Sequence, residues 1–311
     1  MRLVTFTMGS SPARTGALVD GDRRIVDLQA AHARTYNGAS PVLESMLHII
    51  EAGDAALDMI GELVKAPGAA NTLAREEVRL LAPVPIPPQM RDFLCFEKHL
   101  RQAFEAVAKL RGTAARIPEV WYERPIFYHP NRFSVCGTET DVPWPSYCEK
   151  LDFELEFGCY IGGRGKDITK DKARGHVFGY TIFNDFSARD EQTKEMAGQL
   201  GPGKGKDFDN GNAMGPCLVT ADEIGDPYRL EMRVRVNGEE WGGGNSRDMH
   251  WKFEDCIAHA SRSETLHPGE FFGSGTVGNG CGLEQLRFLN PGDVVELEVE
   301  GIGILRNRVV K

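Results

Sequence analysis

Residues 151–161 read LDFELEFGCYI, and acidic residues alternate with large apolar ones over the first seven positions. Successive side chains of a β-strand point to opposite faces, so this pattern predicts a strand that carries Asp152, Glu154 and Glu156 on one face. Partly buried carboxylates repel one another unless their pKa values rise or a cation lies between them. A hard divalent cation bound by carboxylate oxygens, such as Mg²⁺ or Ca²⁺, would remove that repulsion.

A solvent-exposed edge strand is the alternative explanation of this alternation. The stretch VELEVE at 295–300 alternates in the same way. Asp185 is a third carboxylate that favours the metal site. Residues 179–190, which contain it, read GYTIFNDFSARD and predict a buried strand that ends in polar residues. Asp185 could instead cap the following turn, and Arg189 could pair with Asp190 or Glu191 on a helix. The residues alone leave these alternatives open.

The rest of the chain predicts a mainly β protein of the α+β class with two domains. Residues 81–88, LAPVPIPP, cannot form a regular helix, because proline lacks the backbone donor. We therefore predict a small N-terminal α+β domain over residues 1–80 and a catalytic domain over 90–311. An amphipathic helix from Glu97 to Arg111, ended by Gly112, is expected near the start of the second domain. We expect a helical pattern at 41–64 with a break at Gly53. The expected strands lie at 2–8, 16–19, 24–28, 153–161, 177–183, 230–236 and 294–299.

Composition excludes several classes of protein. The chain has 311 residues, of which 41% are hydrophobic, and its formal net charge of −9 argues against broad nucleic-acid binding. Seven scattered cysteines without a C-x-x-C pair fit neither a zinc framework nor a disulfide scaffold. The apolar run at the start is too short for a signal peptide, and no apolar stretch is long enough to span a bilayer. We expect a soluble cytoplasmic protein without nucleic-acid or membrane partners.

Several multi-residue motifs together resemble the fumarylacetoacetate hydrolase family over residues 90–311. They occur in the order and spacing of that family and read DFELEFGCYIG (152–162), FGYTIFNDFSARD (178–190), GKDF (205–208), GSGTVG (273–278) and NPGDVVELEVEGIG (290–303). The resemblance implies a mixed β-roll or sandwich that holds one divalent metal and usually forms homodimers. The GSGTVG loop also spells G-x-G-x-x-G, but turn residues follow it where a dinucleotide fingerprint would need a helix.

The resemblance also assigns roles to individual residues. Glu154, Glu156 and Asp185 match the metal ligands of the family, and Asp92 resembles an additional ligand of the hydrolase itself. His99 matches the family's general base, which Glu284 would orient. Many members place that acid three residues after the histidine, where this chain has Gln102. Without the resemblance, His99 would be read as a solvent-facing residue of the helix.

Substrate contacts follow from the same motifs. Lys206 matches a lysine that stabilises negative charge on an enolate, and Lys204 beside it is expected to be solvated. Arg189 and Gln192 match positions that contact substrate, and Thr276 falls on the loop that meets the substrate carboxylate in relatives. The connection at 113–150 contributes aromatic residues that could line a lid or pack a core, namely Trp121, Tyr122, Phe127, Tyr128 and His129.

The resulting expectation is an Mg²⁺-, Mn²⁺- or Ca²⁺-dependent hydrolase that cleaves a C–C bond in a small 1,3-diketone or acylpyruvate-type acid, as in aromatic or sugar-acid catabolism. The proposed chemistry passes through a metal-stabilised enolate. Because the same enolate serves other reactions, the alternative is a 2-oxo acid decarboxylase, tautomerase or hydratase of the same family. A non-catalytic binder of a small ligand and a structural Ca²⁺ site are further alternatives.

Overall fold

The computed structural model describes residues 1–112 and 114–311, without the side chains of Ala69, Leu110 and Arg111. The described residues form a mainly β structure of the α+β class. The strands are β1 (Arg2–Thr7), β2 (Arg14–Val19), β3 (Arg24–Asp27), β4 (Thr72–Ala74), β5 (Arg79–Leu80), β6 (Met90–Phe93), β7 (Phe127–Tyr128), β8 (Val135–Cys136), β9 (Asp141–Pro143), β10 (Leu151–Asp152), β11 (Leu155–Ile161), β12 (Gly165–Lys166), β13 (Val177–Asp185), β14 (Ser187–Ala188), β15 (Asn212–Thr220), β16 (Glu231–Val236), β17 (Glu239–Asn245), β18 (Thr265–Leu266), β19 (Phe271–Gly273), β20 (Val294–Val299) and β21 (Gly303–Val310). The helices are α1 (Leu28–Tyr36), α2 (Met46–Ala52), α3 (Asp54–Lys65), α4 (Glu97–Arg111), α5 (Val120–Glu123), α6 (Lys170–Ala173), α7 (Arg189–Glu195), α8 (Ala221–Ile224) and α9 (Phe253–Ala260).

A sheet of twelve strands forms the centre of the structure. Its main path runs β4-β3-β2-β1-β15-β13-β11-β19-β6-β7, with β5 paired to β1 and β8 paired to β15. A second sheet of five strands has the order β17-β16-β20-β21-β9. The large apolar cluster between them includes residues from β11, β13, β16 and β20. The central strands are therefore covered, and polar side chains on them must find partners inside the protein.

The N-terminal segment contributes to the same central sheet. Strand β1 pairs in antiparallel register with β15, so that Leu3 lies opposite Leu218. The expected helical pattern at 41–64 is a short 3₁₀ turn at Pro41–Leu43 followed by α2 and α3. Gly53 separates the two helices with a φ of 58°, a left-handed value that glycine adopts without strain. The division into domains at residues 80 and 90 stays a prediction.

Helix α4 has the predicted bounds. It runs from Glu97 to Arg111, and Gly112 ends it in the left-handed conformation. Every described helix is too short or too polar to cross a lipid bilayer. The homodimeric state and the cytoplasmic location stay predictions.

The two acidic strands differ in burial, which their sequences did not reveal. All seven residues of β11 are buried, whereas β20 buries only alternate residues and leaves Glu296 and Glu298 partly exposed. The solvent-exposed acidic face therefore belongs to β20 and not to β11. The expected strand at 153–161 is also interrupted: Glu154 lies between β10 and β11 and forms an isolated bridge with Cys281. Strand β13 is longer than expected and is buried along its whole length to Asp185.

Candidate active site

Three buried carboxylates from neighbouring strands meet at one point. Asp92 is on β6, Glu156 is on β11, and Asp185 is the last residue of β13. Strand β19 pairs with both β6 and β11, and β11 pairs with β13, so these strands lie side by side. One oxygen of each carboxylate lies within 4.8 Å of the others. We call Asp92, Glu156 and Asp185 the carboxylate triad. Asp92, which only the hydrolase pattern suggested, belongs to it.

The glycine-rich loop that follows β19 closes around Asp92. Gly273 lies opposite Asp92 in the β19–β6 pairing, and a Cβ atom at position 273 would lie 2.4 Å from Asp92 Oδ1. Gly275 has a φ of 73°, and its N–H donates to Asp92 Oδ1 at 3.3 Å. Glycine is needed at 273 because a side chain would meet Asp92, and at 275 because the backbone is left-handed and a Cβ atom would lie 2.3 Å from the Phe93 carbonyl oxygen. The loop that spelled G-x-G-x-x-G forms one wall of the carboxylate site.

Burial and mutual repulsion disfavour the charged forms of the triad. Burial, followed by the charge of Asp185, raises the pKa of Asp92 well above its ordinary value. Burial and the charge of Asp92 do the same to the pKa of Glu156. Burial also raises the pKa of Asp185 to about 6, although the ammonium of Lys206 opposes that shift. Within the described residues, Glu156 Oε2 and Asp185 Oδ1 are buried without a hydrogen-bond partner. Oxygen donors of this kind fit a hard divalent cation.

Glu154 lies beside the triad and faces two basic groups. The ammonium of Lys206 donates to Glu154 Oε2 and to Asp185 Oδ2. Arg189 Nη1 lies 2.8 Å from Glu154 Oε1. Burial alone would raise the pKa of Glu154, but the charges of Lys206 and Arg189 outweigh it and lower the pKa to about 2. Glu154, predicted as a metal ligand, is thus brought to the site as the partner of Lys206 and Arg189, outside the triad.

Asp152 fixes the position of Arg189. Its Oδ2 accepts from Arg189 Nε at 2.8 Å and from the N–H of Leu283 at 2.9 Å, and its Oδ1 accepts from the N–H of Gly282 at 2.8 Å. The alternatives in which Arg189 pairs with Asp190 or Glu191 do not match these contacts. Arg189 Nη2 is buried and, among the described residues, has no hydrogen-bond partner. This nitrogen is available to an anionic ligand.

His99 and Glu284 form a buried pair on the other side of the site. His99 is the third residue of α4, and Glu284 lies in a 3₁₀ turn at Leu283–Gln285. His99 Nδ1 is 2.9 Å from Glu284 Oε1, with side-chain exposures of 7% and 1%. The solvent-facing alternative for His99 is therefore wrong. Gln102 hydrogen-bonds the side chain and the N–H of Asn279, which ties α4 to the same region of the chain.

The remaining predicted residues are also close to the site. Gln192 accepts from Arg189 Nη1 at 3.0 Å, and the Thr276 hydroxyl donates to Glu156 Oε1 at 3.4 Å. Tyr128 donates its hydroxyl to Asp185 Oδ2 at 2.6 Å, a contact that the sequence did not predict. Trp121 is fully buried and packs in the core.

A cavity of about 450 Å³ connects these groups to solvent. Its polar lining includes most of the predicted residues, namely Asp92, His99, Glu154, Arg189, Gln192 and Lys206. A proton acceptor, two cationic groups and one triad carboxylate therefore face the same space. Such an arrangement suits a small anionic molecule whose protons are moved by His99.

Residues 89–310 match the family described as fumarylacetoacetate (FAA) hydrolase C-terminal. The chain belongs to the fumarylacetoacetate hydrolase family. Oxaloacetate tautomerase fahd2 of Xenopus laevis, described as mitochondrial, is a member of similar sequence, with 34% identity over 100% of this chain and 90% of its own. Oxaloacetate tautomerase YisK of Bacillus subtilis (strain 168) is 32% identical over 94% of this chain and 95% of its own.

Two solved structures are similar in fold to this chain. The fumarylacetoacetate hydrolase from psychrophilic Exiguobacterium antarcticum has a TM-score of 0.76 at 28% identity, covering 100% of this chain and 99% of its own. A maleylpyruvate hydrolase from Sphingobium sp. SYK-6, in complex with manganese (II) ion and pyruvate, has a TM-score of 0.72 at 22% identity, with coverages of 100% and 99%. The predicted family and the fold class are confirmed, and the chain is an enzyme of this family.

Proposed function

We propose that this enzyme is a metal-dependent tautomerase that interconverts the keto and enol forms of a small 2-oxo acid. The observation that carries the proposal is that His99, which is paired with Glu284, and Asp92 of the triad line the same cavity. The names of the Xenopus and Bacillus relatives support tautomerisation of oxaloacetate more than C–C hydrolysis. Tautomerisation, first considered as the alternative, therefore becomes the main proposal.

The triad would hold the metal ion. Mg²⁺ and Mn²⁺ suit its carboxylate oxygens, as does Ca²⁺, and the manganese in the Sphingobium structure favours Mn²⁺ as the first ion to test. When bound, such an ion withdraws electron density from the substrate oxygens and stabilises negative charge on them. Thr276 and Tyr128 would position two of the ligands, because their hydroxyls contact Glu156 and Asp185.

The residues of the chain would move the proton. Tautomerisation of a 2-oxo acid breaks a C–H bond at carbon 3, shifts its electron pair into a C=C bond and places a proton on the carbonyl oxygen. With Nδ1 of His99 held by Glu284, Nε2 can accept the carbon-bound proton and return it. Arg189 Nη2 would donate to the oxygens that carry negative charge, and the Lys206 ammonium, held by Glu154 and Asp185, would add positive charge to the same site.

C–C hydrolysis is the second candidate. The same His99–Glu284 pair could take a proton from water, so that hydroxide adds to a carbonyl carbon and the C–C bond breaks. The two reactions differ in atom balance, because hydrolysis consumes one water and gives two acids. Decarboxylation and hydration would likewise change the mass of the product, whereas tautomerisation would not.

The test is turnover by protein that has been freed of metal and then given Mn²⁺ or Mg²⁺. The assay follows the loss of the enol absorbance of oxaloacetate together with the mass of the product. The control is the same metal without protein. We expect metal-restored ketonisation without a change in mass, and its loss in His99→Ala. Formation of two acid fragments from acylpyruvates, without faster ketonisation, would replace the proposal by hydrolysis. A lack of any metal-dependent reaction would leave the binder and structural-ion alternatives.

A further inference from the structure

Much of the lining of the active-site cavity is apolar. Helix α4 contributes one row of side chains to this lining, and the segment after α7 contributes two more. These residues are Leu100, Ala103, Phe104, Val107, Met196 and Ala197. We call them the apolar wall. Water gains little from contact with such a surface, whereas an apolar group of a ligand is stabilised by burial against it.

We call the polar residues that line the cavity its polar floor, and all cationic groups of the cavity belong to this set. Of the described lining residues, only His99, Arg189 and Lys206 can carry positive charge. Arg189 is already bonded through Nε and Nη1, and Lys206 is bonded to two carboxylates. Of the nitrogens of these two side chains, Arg189 Nη2 has no hydrogen-bond partner among the described residues and remains for the anion. The floor can therefore compensate one substrate carboxylate, and no described residue of the apolar wall offers a charge for a second.

The volume of the cavity also favours a substrate with one carboxylate and an additional apolar group. Pockets of about 300–1,000 Å³ accommodate drug-sized molecules, and the cavity of about 450 Å³ lies within this range. Oxaloacetate is a four-carbon diacid and leaves much of that space unfilled. Against the apolar wall, its second carboxylate would lose hydration without gaining a charged partner, which is costly for a charged group.

From these observations we infer that the preferred substrate is a 2-oxo acid with a single carboxylate and an apolar aryl or alkyl substituent on carbon 3. The acid end binds at Arg189 and the metal site, and the substituent packs against the apolar wall. The inference rests on the tautomerase function proposed above and narrows its substrate class.

Binding and turnover test it separately. Oxamate and N-phenyloxamate are unreactive analogues that differ only in a phenyl group, and calorimetry with Mn²⁺-loaded enzyme compares their affinities. Burial of a phenyl group predicts about 10- to 100-fold tighter binding of N-phenyloxamate. For turnover, kcat/KM for enol–keto conversion of phenylpyruvate should exceed that of oxaloacetate by at least about tenfold.

Two substitutions probe the wall itself. Val107→Lys places a cation at the apolar wall and should lower the ratio of kcat/KM for phenylpyruvate to that for oxaloacetate by about tenfold or more. Its control is Glu105→Gln, an exposed position of the same helix at which the net charge changes equally, and which should leave the ratio unchanged. Phe104→Ala should weaken N-phenyloxamate binding about tenfold and leave oxamate binding intact. This second variant keeps the test valid if Val107→Lys fails to fold.

The outcomes separate the two proposals. If no 2-oxo acid is tautomerised, the proposed function itself fails. Faster conversion of oxaloacetate than of phenylpyruvate, with equal binding of the two oxamates, leaves the tautomerase intact and overturns the apolar-substituent inference.

Discussion

Replacement of Lys206 by Met should reveal how strongly the site depends on one buried cation. Lys206 is 4% exposed, and its ammonium is bonded to both Glu154 and Asp185. Methionine keeps the approximate length of the side chain without its charge. Removal of one partner from a buried ion pair costs about 3–5 kcal/mol. The lower end applies here, because Glu154 keeps Arg189 and the pKa of Asp185, already raised to about 6, lets that carboxyl take up a proton.

A loss of about 3 kcal/mol corresponds to a measurable change in melting temperature. Unfolding entropy is about 2.1 cal/mol/K per residue, so Tm of this 311-residue chain should fall by about 5 °C in the metal-free protein. Circular dichroism at a fixed heating rate measures the change. Lys204→Met is the matched control, since Lys204 is exposed and its ammonium bonds only a backbone carbonyl, and it should cost less than about 0.5 kcal/mol.

Saturation with Mn²⁺ should reduce the difference between Lys206→Met and wild type, because the ion supplies the charge that Asp185 has lost. Equal melting temperatures for the two lysine variants without metal would refute the view that Lys206 compensates buried carboxylates. A penalty that is the same with and without metal would refute the view that ion and ammonium share Asp185.

Three further predictions concern the base, the loop and the metal. Glu284→Gln keeps the size of the side chain but removes the charge that holds His99, so kcat of the metal-loaded enzyme should fall about 10- to 100-fold with little change in KM, as steady-state kinetics will show. Gly273→Ala places a methyl group against Asp92 and should weaken Mn²⁺ binding by at least about tenfold in calorimetry. The control is Gly175→Ala, whose Cβ meets no atom within 4 Å and which should leave Mn²⁺ binding unchanged. Because burial and mutual repulsion raise the pKa values of the triad, its carboxyls keep protons to a higher pH than free carboxyls do, and Mn²⁺ binding should release the protons that remain. Calorimetry in buffers of different ionisation enthalpy counts these protons, and an enthalpy independent of buffer would contradict the prediction.

The fold could be read from the sequence where local patterns determine it. Helix α4 was predicted to the residue, because its amphipathic repeat and Gly112 are local signals. The difference between β11 and β20 could not be read in this way. Both alternate acidic and apolar residues, and only their neighbours in the sheets decide which acidic face is buried.

Site residues could be predicted where they belong to a sequence motif. They could not be predicted where only a contact with a distant part of the chain brings them to the site. Motifs gave the three members of the triad and Glu154, but not the ion pairs of Glu154 with Lys206 and Arg189, which come from distant positions. The role of Glu154 as a metal ligand stays a prediction. Tyr128 has no local signal, because its partner lies 57 residues away. Its place in β7, at the edge of the central sheet, is what brings its hydroxyl to Asp185.

The charges of the site also bear on the order in which ligands bind. With all of their carboxyls ionised, the triad, Asp152 and Glu154 would have five negative charges against two positive charges on Arg189 and Lys206, a net charge of −3. Protons held by the triad offset part of this charge in the metal-free protein, and the carboxyls that are ionised repel an anionic substrate with little screening. A divalent cation reduces the formal charge to −1 and supplies an attraction directly beside the substrate oxygens. Metal binding should therefore precede substrate binding, and a substrate with one carboxylate meets less of the remaining repulsion than one with two.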